Sequence, residues 1–73
     1  MTHTVRANMA GTLLEILVKP GDPIAEGQDV VTIESMKMHL SIPAERAGKV
    51  VKIRVKVGDF VNENDPLLDL ETS

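Results

Sequence analysis

The most distinctive run in the chain is Glu34-Ser35-Met36-Lys37-Met38, a lysine held between two methionines. The chemistry open to that lysine is that of a primary amine, a nucleophile when neutral and a positive charge when protonated. An exposed lysine on a turn ordinarily does no more than keep a surface soluble, and methionines ordinarily fill gaps in a core. The spacing here does not suit those roles. Strand alternation cannot bury Met36 and Met38 while a tight hairpin also buries the stem of Lys37. Two apolar side chains bracketing a lysine at a turn instead mark a surface made to be recognised.

Little else in the sequence could do chemistry. There is no cysteine, which excludes disulfides and thiolate-bound metals. His3 and His39 stand in no ligand spacing and read as ordinary surface residues, so no metal is expected. No nucleophile–base pair or paired carboxylates can be picked out, and 73 residues leave little room for an enclosing pocket. No catalytic residue is assigned. The formal charge is −3 with acids and bases interleaved, which lacks the basic patch that nucleic acid requires. No run approaches the roughly 18 apolar residues of a membrane span, and no charged N-terminal region precedes an apolar one. A soluble cytoplasmic protein with neither nucleic-acid nor membrane partners is the expectation.

The elements that position the lysine follow from an internal repeat. The length predicts one domain over residues 1–73. A domain of that size buries only about 60% of its unfolded surface. Residues 10–34 align with 47–71 without a gap, at an offset of 37. Identical pairs include Gly11/Gly48, Ile16/Ile53, Val18/Val55, Gly21/Gly58, Asp22/Asp59 and Glu34/Glu71. Two units are too few for a solenoid, which needs about three. They predict one core around a pseudo-twofold axis.

Val51, Ile53 and Val55 alternate with Lys52, Arg54 and Lys56, as in a strand with one wet face. The counterpart places Leu14, Ile16 and Val18 inward and Leu17 outward beside Leu13, where a lone exposed leucine is ordinary. Val31 and Ile33 match Leu68 and Leu70, with Thr32 and Asp69 directed outward. No segment keeps a 3.6-residue period, and the domain reads as all-β. Gly21 and Gly58 mark equivalent tight turns, and Gly27 matches Asn64, the two residue types that most readily turn left-handed. Pro66 belongs at an edge or just ahead of its strand. Because Glu71 is the counterpart of Glu34, the second half ends where the first makes its lysine turn. The termini and that hairpin are therefore expected at opposite ends.

The lysine-centred run resembles the biotinyl-domain signature Met-Lys-Met, with Ser35 where alanine is usual. The resemblance spans about the whole chain: the two halves, the Gly-Asp turns and the central lysine. It implies a flattened β-barrel, a barrel-sandwich hybrid of two four-stranded antiparallel sheets, shared by biotinyl and lipoyl domains. It also implies that Lys37 receives covalent biotin and that Glu34, Met36 and Met38 are read by a biotin protein ligase. Nothing is inserted between Gly11 and Glu34, so the protruding thumb loop of some bacterial acetyl-CoA carboxylase carriers is absent. The sequence is closer to the loopless biotinyl domains of pyruvate and acyl-CoA carboxylases, or to small free-standing biotin/lipoyl attachment proteins.

The resemblance implies a monomeric carrier, not an enzyme. The ligase would present biotin as an acyl-adenylate and supply the environment that deprotonates the amine. The loaded arm would then shuttle carboxylate between biotin carboxylase and carboxyltransferase sites, which is tethering rather than catalysis. Two alternatives stand beside it. A lipoyl or dual carrier would share the fold, but lipoyl lysines usually follow Asp and precede a small or β-branched residue. An unmodified interaction module of the same fold would have no use for Met-Lys-Met.

Overall fold

Aliphatic residues alternating with polar ones, interrupted every few positions by Gly, Pro or Asn, give eight short strands. The computed structural model describes residues 1–72 and contains no helix among them. The strands are β1 Thr2–Arg6, β2 Gly11–Ile16, β3 Pro23–Ile24, β4 Asp29–Ser35, β5 Met38–Pro43, β6 Gly48–Ile53, β7 Phe60–Val61 and β8 Pro66–Glu71. They form two antiparallel sheets, β1-β8-β6-β3 and β5-β4-β2-β7. An offset of 37, added for β1 and β3 and subtracted for β6 and β8, turns the first sheet into the second, so the repeat is a structural pseudo-twofold. Each half contributes two strands to each sheet. The core between the sheets is wholly aliphatic, with Leu13, Ile33, Leu67, Leu68 and Leu70 among its fully buried members.

Simple alternation fails in β2 and β6, at the same place in each half. Register shifts between Leu13 and Glu15, and again between Val50 and Lys52. Each shift is a bulge that inserts one unpaired residue and reverses which face the following side chains take. The core residues are therefore Leu13 and Val50, not Leu14 and Val51. Leu14 is half-buried and Val51 is 53% exposed, while Ile16, Ile53 and Val55 pack partly buried against the core. Val18 is buried as expected. Leu17 is indeed exposed, but Leu13 is no outer-face neighbour of it.

Asp69 also departs from the alternation pattern. It lies on the outer face, yet it is only 7% exposed because a polar cluster covers it. Arg54 donates from Nε to both carboxylate oxygens at 3.1 Å and from Nη2 to Oδ2 at 2.9 Å, and the Thr4 hydroxyl donates to Oδ1 at 2.9 Å. The hydrogen bonds from Arg54 hold the Asp69 carboxyl below the ordinary carboxylate range. Partial desolvation opposes that shift, and Thr4 adds to it. The counterparts of Arg54, Asp69 and Thr4 are Leu17, Thr32 and Ser41, so the other sheet has no such cluster.

A carboxyl whose pKa is depressed on folding stabilises the fold above its unfolded pKa. That contribution is lost as pH falls through the folded value. Acidification below about pH 4 should therefore remove this stabilisation. In Asp69→Asn the melting temperature should be lower at neutral pH and fall less steeply with acid than in the wild type. Parallel acid limbs in the two proteins would assign the acid sensitivity to other carboxylates.

The turns follow the expected chemistry. Gly21 and Gly58 have φ of 95° and 97°, and Gly27 and Asn64 have 85° and 74°. Pro66 opens β8, where the missing N–H is tolerated. His3, expected at the surface, is instead largely covered, with Nε2 buried 3.6 Å from Glu45. That contact also orients the molecule, which extends 36 × 19 × 18 Å. Thr2 pairs with Glu71, and His3 beside them meets Glu45, just past the far end of β5. The termini therefore lie away from the β4–β5 hairpin, separated from it by the length of β5.

Candidate functional site

Residue pairing fixes the geometry of the lysine turn. β4 ends at Ser35 and β5 begins at Met38, its direct partner, so Met36 and Lys37 form a two-residue loop. Both have positive φ, 52° and 65°, as the type I′ hairpin turn requires to match strand twist. Glycine or asparagine normally fills such positions, and other residues cost about 1–2 kcal/mol each. Strain of this kind is stored where the side chains matter more than the ease of the turn.

The side chains point into solvent. Met36 is 92% exposed and Met38 57%, and Lys37 between them is exposed too. Among the described residues no salt bridge reaches Lys37, and no carboxylate stands within ion-pair distance of its amine. The amine is thus open to an incoming acyl group.

Beneath the turn β2 approaches its sheet neighbour β4 closely. A Cβ placed on Gly11 would stand 2.5 Å from the Glu34 carbonyl oxygen, so only glycine lets β2 pack against the hairpin root. The same need recurs at the other end, where Gly48 faces the Glu71 carbonyl. Glu34 is directly opposite Thr12 on one side and His39 on the other, with its carboxylate 3.9 Å from His39 Nε2. Phe60 is opposite Thr12, extending the same row. Thr12, Glu34, Ser35, Met36, Lys37 and Phe60 border a shallow hollow of about 380 Å³. A larger groove of about 660 Å³ runs between β1 and β5 and touches none of the candidate residues.

Glu34, Met36, Lys37 and Met38 come together as neighbours in sequence must. His39 follows them directly, whereas Thr12 and Phe60 join them only through strand register, and nothing in the sequence pattern places Phe60 there.

The whole chain can also be set beside known proteins. A family model described as biotin-requiring enzyme matches residues 3–70. Over 70 residues the chain is 51% identical to a biotin/lipoyl attachment protein of Bacillus subtilis, covering 96% of both. It is 43% identical to part of the mitochondrial propionyl-CoA carboxylase alpha chain of Homo sapiens, covering 96% of this chain and 10% of that one. Over 88% of its length it is 45% identical to 12% of the dihydrolipoyllysine-residue acetyltransferase component of the pyruvate dehydrogenase complex of Pseudomonas aeruginosa. Among solved structures, a single-chain, multi-domain long-chain acyl-CoA carboxylase superposes with a TM-score of 0.91 at 32% identity. That match covers 99% of this chain and 7% of the carboxylase.

Proposed function

Because this chain belongs to the biotin/lipoyl attachment family, we propose that it is a biotin carboxyl carrier domain loaded on Lys37. The observation that carries this reading is the exposed, unpaired Lys37 on a strained two-residue turn between two exposed methionines. Glu34, Met36 and Met38 form the surface that a biotin protein ligase reads. Lys37 Nζ attacks the acyl carbon of a biotinyl-adenylate, the carbon–oxygen bond to AMP breaks and AMP leaves, and the amine gives up its proton to the ligase site to become an amide nitrogen. The attached biotin ring supplies carboxylate carriage between biotin carboxylase and carboxyltransferase sites. The chain's own part is positional, since a strand-anchored hairpin holds the arm away from the barrel and raises its local concentration between the two sites. The domain acts as a monomer in the cytoplasm under this reading.

A lipoyl or dual role is favoured by the similarity to the biotin/lipoyl attachment protein and to the acetyltransferase component. The methionines weigh against it, because they bracket Lys37 where a lipoyl lysine usually follows Asp. The deciding experiment is an intact mass after incubation with biotin protein ligase, ATP and biotin, run beside a lipoate ligase with lipoate. One biotinyl group, mapped to Lys37 among the eight basic residues, is expected, with much slower lipoylation. Label spread over Lys19, Lys49, Lys52 or Lys56 would refute the site, and equal loading by both enzymes would establish a dual carrier.

A further inference from the structure

The pseudo-twofold separates what folding needs from what it does not. Where both halves agree, in kind as at Ile24/Val61 or in identity as at Gly11/Gly48, the shared feature serves the barrel. Phe60 is a position where they disagree. Its counterpart is Pro23, in the same register at the opposite end of the molecule. The fold accepts proline there, so an aromatic is not a structural requirement. Phe60 is nevertheless the only phenylalanine in a chain without tyrosine or tryptophan, and it is 64% exposed. The single large aromatic has been left out of the core, on the rim of the hollow that Lys37 and Met36 also border.

The surrounding sheet face has its own charge. The strands of the lysine-bearing sheet contain no lysine or arginine, and their acids are Glu15, Asp29 and Glu34. Strands of the other sheet carry Arg6, Lys49 and Lys52 along with Asp69 and Glu71. Directly opposite residues share a face, so the Phe60–Thr12–Glu34–His39 row crosses one side of the lysine-bearing sheet, with the Glu15–Thr32–Ser41 row beside it. An apolar anchor thus stands at the edge of an acidic face, next to the reactive amine.

We propose that Phe60 anchors the biotin ligase on this face, seated in an apolar pocket of a ligase surface that is otherwise basic. The inference rests on the carrier reading and extends it to a specificity-determining residue outside the hairpin. The ligase is the occupant for a reason of reach. It must act on the bare lysine side chain, so its surface has to meet the domain beside Lys37. The carboxylase sites are met by the loaded arm, which is much longer. Interfaces draw most of their affinity from a few aromatic anchors ringed by polar contacts, and complementary charge speeds the encounter.

The test measures steady-state biotinylation with biotin protein ligase, ATP and biotin. Phe60→Ala and Phe60→Pro, the latter copying the other half, should lower kcat/KM by about tenfold through KM. Phe60→Leu should recover most of the loss, and Val51→Ser on the opposite sheet should match the wild type. Wild-type KM should rise with salt, and Glu15→Lys should raise it at low salt. Phe60→Ala labelling with wild-type kcat/KM, or losing kcat with KM unchanged, overturns the anchor while leaving the carrier reading in place. Failure of the wild type itself to take biotin overturns both.

Discussion

Lys37→Arg should yield a domain that folds as before and takes no biotin. Arginine keeps the positive charge, a long flexible stem and the same tolerance of the turn, so the folded state loses nothing it uses. Lys37 is exposed and makes no ion pair among the described residues, so the change in stability should stay within about 0.5 kcal/mol. Chemistry is another matter. The guanidinium stays protonated at any pH the protein survives and cannot act as an acyl acceptor. Loss of labelling should be complete rather than graded, because the group that forms the amide is gone. Intact mass after ligase treatment, with a thermal melt on the same sample, reads both properties. Biotin added to a normally folded Lys37→Arg protein would place the attachment elsewhere.

The double change Met36→Asp with Met38→Ala should separate recognition from folding. Met36 is almost wholly exposed and occupies a left-handed position that aspartate tolerates better than methionine. The fold therefore has little to lose there and some strain to shed. Met38 is more than half exposed at the start of β5, so trimming it removes little packing. The unfolding midpoint should stay near that of the wild type or rise. Biotinylation should nevertheless fall by about tenfold or more in kcat/KM, the loss expected when apolar contact residues leave an interface. Lipoylation should increase only slightly, since Glu34 and the rest of the face remain in place. A parallel loss of stability and labelling would show that the methionines serve the hairpin's structure, and unchanged labelling would show that the ligase does not read them.

Much of this protein is legible in its sequence because the relevant signals are local or repeated. The offset of 37 and the alternation of aliphatic residues fix an all-β domain of two equivalent halves. The left-handed turns at Gly21, Gly27, Gly58 and Asn64 follow from backbone sterics that each residue type carries with it. The lysine run is contiguous, so its members meet whatever the fold does with the rest.

Other features depend on strand pairing, which alternation does not encode. The bulges at Leu14 and Val51 reverse inside and outside within a strand, because one unpaired residue shifts a period of two by half a cycle. Asp69 reads as an exposed outer-face residue until β6 and β1 bring Arg54 and Thr4 against it. The halves do not each form a sheet; they interleave, each contributing two strands to both sheets around one shared aliphatic core. That interleaving carries Gly11 against Glu34 and Phe60 to the lysine hairpin. The sequence by itself determined the candidate lysine and the kind of element that presents it, because both are written in neighbouring positions. Only the tertiary structure decided which distant residues surround that amine, because register and sheet order are set by how the whole aliphatic core closes.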